Sequence, residues 1–406
     1  MSLVTELRLP EIDYNTPDFG PATYHARLAA ARAAEPGWLA HSPLAYIVLD
    51  ADSGDFFLRS RQARFPGQEI AEIFGVTSGP LAEHVGKNIL NATGEQHRRL
   101  RNLVAPAFTP RNADRWRPAM RGFLEELWDA LGPDARAAKR TEFVSAFARL
   151  YPSRALATVL GVPLDDAPKL HRWSNLVQRQ FDIQALATML PEIEQAVAES
   201  TEYVAALLDA RRQDPRDDLI SQLLAAEEHG DRLTPDELTE LVLNVIAGGI
   251  DTTQSQLAHA VRIFAAHPDQ WQLLAGDPDA YAPRAVTEVL RFEPVAPFTA
   301  RIVLSDLEYR GVTFPAGTIV AVCAERANRD QPGGEGFDIT AERDGRLFTF
   351  SAGAHYCLGA NFARAELEEA LKFLAPRMPA LALDGEPVLG GVEGIYNVES
   401  LPVRWD

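Results

Sequence analysis

The sequence predicts a mainly α protein, a large helical body carrying a smaller β-rich flank. Three observations lead there. From about residue 95 to 232 nearly every stretch shows helical periodicity, broken only by short punctuation. Residues 294–325, PVAPFTARIVLSDLEYRGVTFPAGTIVAVCAE, switch to alternating and β-branched runs separated by Arg310-Gly311 and Pro315-Ala316-Gly317, the pattern of paired strands. No linker divides the 406 residues, a length able to bury a large core, so 1–406 reads as a single domain.

The elements follow in order. Residues 1–20 read as an irregular segment; Glu6, Glu11 and Asp13 fall where a signal peptide or membrane anchor would need basic residues leading into an apolar run. Ala- and Arg-rich 22–35 favours helix. LAYIVLDADSG, 44–54, reads as a strand and turn, with DFFLRS, 55–60, as the start of a partner strand. Breaks in the helical body fall at TPRN (109–112), LGPDA (131–135), GVPLDDAP (161–168) and RQDPRDD (212–218). Thr234-Pro235-Asp236-Glu237 combines a cap, a first-turn proline and a capping-box glutamate. From there one helix of roughly 32 residues, about 48 Å, is expected to run to His267-Pro268. Irregular chain at 327–346 precedes a last helix over 360–376, and 380–406 joins 294–325 in the β-rich part.

Composition sets limits. There are 39 basic and 57 acidic side chains, a net charge of −18, which argues against a general binder of nucleic acid or anionic membranes. Two cysteines, Cys323 and Cys357, cannot make a disulfide framework, and a reducing cytoplasm is their natural setting. No apolar run reaches the length of about eighteen residues that would suggest a membrane helix. The expectation is a soluble cytoplasmic protein.

One cysteine is framed with care. Thr349 to Glu366 reads TFSAGAHYCLGANFARAE, with Gly353 and Gly359 on either side of Cys357 and a helix beginning just after it. Amides at a helix start stabilise a thiolate, and glycines admit a tight turn and a large planar ligand. The plainer reading of a free cysteine is a small buried hydrophobe. A zinc site with His355 would need two further ligands at metal spacing, whereas one axial thiolate on a haem needs no other protein ligand. In the middle of the long helix stand Gly248, Gly249, Asp251, Thr252 and Thr253. An interior glycine costs about 1 kcal/mol relative to alanine. Either another helix crosses there, or something flat lies on that face with Asp251 and Thr252 presented to it; spacing alone leaves both open. Glu288 and Arg291, three apart, share a helix face, as do His97 and Arg101, four apart. The second pair suits a carboxylate or phosphate, or is simply a solvated basic helix.

These pieces resemble the cytochrome P450 family from about residue 90 to the end of the chain. Phe350-Ser-Ala-Gly353-Ala-His355-Tyr-Cys357-Leu-Gly359 resembles its haem-binding signature, Gly248 to Thr253 its oxygen-activation segment, and Glu288-Val-Leu-Arg291 its ExxR pair. The resemblance implies the P450 fold, with the long central helix crossing over haem b, and roles residue by residue. Cys357 would be the thiolate ligand of the iron, with Phe350, Gly359 and Gly248 also at the cofactor. His97, Arg101, Arg301 and His355 would bind the propionates. Glu288 and Arg291 would hold the core behind the thiolate with Arg343 as third partner. Asp251 and Thr252 would deliver protons during dioxygen activation, so that water leaves rather than peroxide. Val245, Val295, Phe298 and Ile395 would border substrate, with the loops near 75–94, 171–195 and 295–299. Three positions depart from the family pattern. Ser351 stands where glycine is frequent, the stretch from Asp338 to Phe350 looks about one residue long, and Pro106 can bend the LVAPAF helix.

The implied activity is insertion of one oxygen atom of O2 into an apolar organic molecule. No flavin, nicotinamide or iron–sulfur motif occurs in the chain. Electrons are therefore expected from a separate ferredoxin and its reductase, docking on a basic patch for which Arg98, Arg99, Arg111 and Arg364 are candidates, and the protein is expected to be a monomer. Two alternatives stand beside it, the first of the same fold. A peroxygenase or decarboxylase driven by hydrogen peroxide would bypass the Asp251–Thr252 pair, and a haem-binding sensor would have no need of it.

Overall fold

The computed structural model describes residues 2–13, 16, 19–228, 233–343 and 345–406. Residues 229–232, the end of the expected helical run, lie outside the described residues, as do Asp344 and residues 1, 14, 15, 17 and 18. Helices carry most of the chain and the strands form small sheets. The largest sheet has five strands in the order Leu39–His41, Tyr46–Val48, Ile319–Cys323, Phe298–Val303 and Ala63–Arg64. Its centre is the expected antiparallel pairing within 294–325, with Arg301 opposite Val320. In a second sheet Ser2–Leu3, expected to be irregular, runs parallel to Val312-Thr313. The C-terminal strands pair with each other and with Arg140–Glu142, a short strand inside the otherwise helical region.

Four expectations are corrected. DFFLRS belongs to the helix Ala51–Arg59, not to a strand: Asp50 caps it by accepting the Ser53 N–H at 2.7 Å, and Phe57 and Leu58 are buried. Six residues were too few for periodicity to separate the two states, and the cap decided. Residues 327–329, expected to be irregular, complete the short helix Ala324–Arg329. Pro106 does not bend a helix; it follows the end of Gly94–Val104, in a 3-10 turn over Ala105–Phe108. The long central helix is two helices, Pro235–Gly249 and Asp251–Ala266, broken at Ile250 with φ −104° and ψ −62°.

That break falls between two hydrophobic clusters. Leu241, Ile246 and Ile250 pack with the helices around Leu156, Leu170 and Val197. Leu257, Val261 and Phe264 pack instead with the helices Pro278–Phe292 and Ala360–Leu374. Each half of the central helix thus belongs to a different core.

Candidate active site

The loop before the helix Ala360–Leu374 is closed by the Cys357 N–H to the Phe350 carbonyl, 2.9 Å. Ser351 sits at φ +61°, a left-handed conformation that costs a side chain dearly and explains why glycine suits the position. Gly353, at φ +72°, is required twice over: a Cβ there would lie 2.8 Å from the Leu58 carbonyl oxygen, at the end of the helix Ala51–Arg59. The segment misread as a strand therefore buttresses the cysteine loop. Amides of Gly359 and Ala360 hydrogen-bond the Cys357 sulfur. The Cys357 side chain is exposed to solvent although protein groups surround it closely. Burial pushes its pKa up, against the two amides and the nearby charge of Arg101.

The two mid-helix glycines divide the work. A Cβ at Gly249 would come within 3.2 Å of Leu156 Cδ2, so this glycine admits the crossing helix Leu150–Leu160. A Cβ at Gly248 would meet no atom within 4 Å, so this one leaves a face open. Neighbouring side chains hold the break between the halves. The Ser174 hydroxyl donates to the Ala247 carbonyl at 2.9 Å and accepts the Asp251 N–H at 3.3 Å, while Asn175 Nδ2 donates to Asp251 Oδ1 at 3.1 Å. Asp251 is 5% exposed, and burial raises its pKa to about 6, opposed by the Asn175 amide and the charge of Arg179. Thr252 rests its hydroxyl on the Gly248 carbonyl at 2.6 Å.

Behind the cysteine loop, Glu288 and Arg291 are both buried and paired in fork geometry, Nε–Oε2 2.7 Å and Nη2–Oε1 2.8 Å. Arg343 reaches the same carboxylate at 3.0 Å, and Arg291 also holds the carbonyls of Gly334 and Gly336. The irregular chain is thereby pinned in shape by side chains rather than by a backbone ladder.

Arg301 and His97 are buried, Arg101 and His355 partly so, and the rings of His97 and His355 lie 4.2 Å apart. Arg301, 2% exposed, donates to the Ala300 carbonyl at 2.8 Å and to the Ser351 hydroxyl at 3.4 Å, and Arg101 donates to the Tyr356 carbonyl. Neither guanidinium has a carboxylate partner among the described residues. Burial brings Arg301 down to about 10; burial and then the neighbouring cations bring His355 down to about 3 and lower His97. Cationic groups depressed by one another call for an anion. Two fork-shaped donors beside two imidazoles suit a pair of carboxylates, and the open faces at Gly248 and Gly359 suit a flat ligand. The residues present fit haem.

A small apolar cleft, partly open to solvent, is lined among others by Phe65, Ile70, Val76, Leu81, Phe181 and Leu186. The expected loops 75–94 and 171–195 both contribute; Phe65 to Ala71 was missed, although its Phe-Pro-Gly turn and apolar spacing could have marked it. A smaller one lies between Trp173, Val177, Leu243 and Ala247. Val245, Val295, Phe298 and Ile395 line neither. Val295 is joined to the turn at Ile395 by the Tyr396 N–H, 2.8 Å from the Val295 carbonyl, and Phe298 packs on the core of the N-terminal region. Glu366 was also missed. It is buried, hydrogen-bonded by Thr253, and raised by burial to about 8; a carboxylate midway along the apolar stripe of Phe362 and Ala370 was its signal. Of the basic candidates, Arg99 is bound by both Glu237 oxygens at 3.0 and 3.1 Å, Arg98 pairs loosely with Glu95 at 3.4 Å, and Arg364 donates to Thr287 while covering the Phe350 ring. Arg111 is exposed.

One thiol, with no group of three or more His, Cys, Asp or Glu among the described residues able to hold a metal, set near cations that lack a carboxylate partner, asks for a ligand bringing both iron and carboxylates of its own. That demand defines a haem-thiolate protein. Residues 76–274 and 280–374 match the Cytochrome P450 family profile, and the chain belongs to the cytochrome P450 family. It is 34% identical over 404 residues to luteothin monooxygenase of Streptomyces thioluteus, covering 98% of this chain and 96% of that one. It is 34% identical to mycinamicin IV hydroxylase/epoxidase of Micromonospora griseorubida, over 80% and 81% of the two chains. The crystal structure of CalO2 superposes with a TM-score of 0.87 at 30% identity, over 98% of this chain and 99% of the other. The protein is a cytochrome P450 monooxygenase, an oxidoreductase acting on small organic molecules with haem b as cofactor. No helix among the described residues is long and apolar enough to cross a membrane.

Proposed function

We propose that this enzyme inserts one atom of dioxygen into a C–H bond, or an equivalent position, of an apolar organic molecule, with electrons from a separate ferredoxin and its reductase. The observation that carries the reading is Asp251, a buried carboxylate whose pKa of about 6 lets it both hold and release a proton near neutrality, one residue from the Thr252 hydroxyl. The haem, when bound at Cys357, supplies the redox chemistry that activates dioxygen. Asn175 orients the acid and the Ser174 hydroxyl fixes the backbone beside it. Thr252 turns from the Gly248 carbonyl to pass a proton toward the open face. His97, Arg101, Arg301 and His355 take the cofactor carboxylates. A relative named as a methyl-branched lipid omega-hydroxylase supports an apolar substrate, as does the apolar cleft. Arg98, Arg111 and Arg364 remain the docking candidates for the electron donor, and Arg99, already bound to Glu237, contributes least.

The test has two arms. The dithionite-reduced protein with carbon monoxide should show a strongly red-shifted Soret band, lost in Cys357→Ala. Turnover of a panel of apolar compounds should require NADPH with a surrogate ferredoxin and reductase. Product formed with hydrogen peroxide alone at an equal rate would favour the peroxygenase, and spectral shifts without any product would favour a sensor.

A further inference from the structure

A dense set of buried titratable groups lies outside the site, where the N-terminal helix Tyr24–Ala33 meets the end of the helix Pro278–Phe292 and the second central helix. Glu293, 2% exposed, accepts from three directions: the Tyr24 hydroxyl at 2.5 Å, His25 Nε2 at 3.1 Å and Arg262 Nη2 at 2.8 Å. Through Nδ1, His25 also reaches a second buried carboxylate, Glu325, at 2.9 Å, which pairs in turn with Arg326 and Arg329. The chain of contacts continues inward. Arg262 Nε donates to His259 Nδ1 at 3.1 Å, and His259 Nε2 lies 3.0 Å from the Tyr396 carbonyl. A guanidinium only donates and a carbonyl only accepts, so His259 is fixed as the neutral tautomer with its proton on Nε2. Burial, with Arg262 beside it, takes its pKa down to about 3. The Tyr396 ring packs against His259 at 4.4 Å and edge-on to Tyr24 at 5.4 Å.

Tyr396 ends the turn that carries Ile395. A Cβ on Gly394 of that turn would lie 3.6 Å from Asp182 Cβ, and the neighbouring Phe181 lines the apolar cleft. We propose that Tyr24 and His25 are positioning residues for this turn. Charged His25, clamped between Glu293 and Glu325, holds Arg262, His259 and the Tyr396 carbonyl in place, and affinity for a ligand in the cleft falls when His25 loses its proton. The inference rests on the monooxygenase reading for a substrate in the cleft, which the turn borders through Asp182 and does not itself line.

The groups facing His25 are Tyr24, Glu293 and Glu325, with Arg262, His259, Tyr396, Arg326 and Arg329 behind them. Burial alone would lower its pKa, but the two carboxylates outweigh it and raise it above 6.5. The clamped state therefore holds its proton more tightly, is complete below the ordinary histidine value, and is lost as pH rises through the raised one.

The test uses the haem-loaded enzyme at several pH values between about 6 and 8.5, across the histidine range. Hydrogen exchange is followed in peptides covering 390–400 and 24–33, and 4-phenylimidazole binding is followed by absorbance. In the wild type, exchange at 390–400 should rise with pH beyond its intrinsic dependence, by about tenfold for each unit that the carboxylates raise His25, with azole affinity falling in step. His25→Ala should show the high-pH behaviour throughout. His25→Lys should restore protection and remove the pH dependence. Equal protection of 390–400 in wild type and His25→Ala at about pH 6 would overturn the proposal, as would faster exchange with unchanged azole affinity. The carbon monoxide spectrum, retained in every variant, separates either failure from a failure of the haem-thiolate assignment.

Discussion

Replacing Asp251 by asparagine should make the protein more stable at neutral pH and a worse enzyme. Burial sets the carboxyl near pKa 6 in the folded chain, against an ordinary value of 3.8. The native state holds the proton more tightly, so the stability tied to this group is present below 3.8 and lost as pH rises through about 6. A displacement of about two units at about 1.36 kcal/mol each makes the ionised carboxylate cost about 3 kcal/mol at neutral pH. Asparagine keeps the shape, keeps an oxygen for Asn175 and carries no charge. Asp251→Asn should therefore gain up to about 3 kcal/mol near pH 7.5, about half of that near pH 5, and almost nothing near pH 4. Urea unfolding of the haem-loaded protein at each pH, with the slope measured alongside the midpoint, reads the difference. Product formation should fall in the same variant while the share of electrons recovered as hydrogen peroxide rises. A shift that is the same at all three pH values, or a loss of stability at neutral pH, would refute the reasoning, because the buried charge would then be fully compensated by its partners.

Three further outcomes can be checked directly. Ser351→Gly should raise the urea midpoint, gaining about 1 kcal/mol by relieving the left-handed conformation at the cost of a 3.4 Å bond to Arg301. Gly249→Ala should destabilise the protein by about 1–3 kcal/mol through its contact with Leu156, whereas Gly248→Ala should stabilise the haem-free helix by about 1 kcal/mol and weaken haem retention, measured by transfer to apomyoglobin. Arg301→Gln removes a buried cation without a protein anion; haem transfer should quicken by about tenfold or more, while the haem-free protein becomes no less stable.

The turn framing Cys357 and the Glu288–Arg291 pair were legible because their constraints are local. Cys357 must precede a helix start within a few residues, and Glu288 must stand three residues from Arg291 to share its face, so both leave a spacing in the sequence. Arg343 could be named only through the family resemblance, since its contact to Glu288 closes over 55 positions of irregular chain. What the sequence hid was set by partners distant along the chain. The helix break at Ile250 is held by Ser174, 76 residues away from that position, and no propensity of Gly248–Thr253 alone distinguishes a kinked helix from a straight one. The helix Ala51–Arg59 looked like a strand because two adjacent phenylalanines satisfy either pattern. The lining of the clefts was least legible, because a cleft assembles side chains from segments that share no register.

The helix Ala167–Gln178 touches both halves of the broken helix: Ser174 binds Ala247, Ser174 and Asn175 bind Asp251, and His171 binds Gln254 at 2.8 Å. Its Trp173 and Val177 line the smaller cleft. One helix therefore borders the smaller cleft and also holds the break between the two halves of the central helix. If substrate enters the smaller cleft, substitutions at 173 and 177 are expected to shift Asp251 through the bonds of Ser174 and Asn175, and with it the share of electrons lost to peroxide. Selection for a new substrate on this helix should accordingly be scored on product formed per NADPH consumed, since turnover alone would reward variants that bind well and waste their electrons.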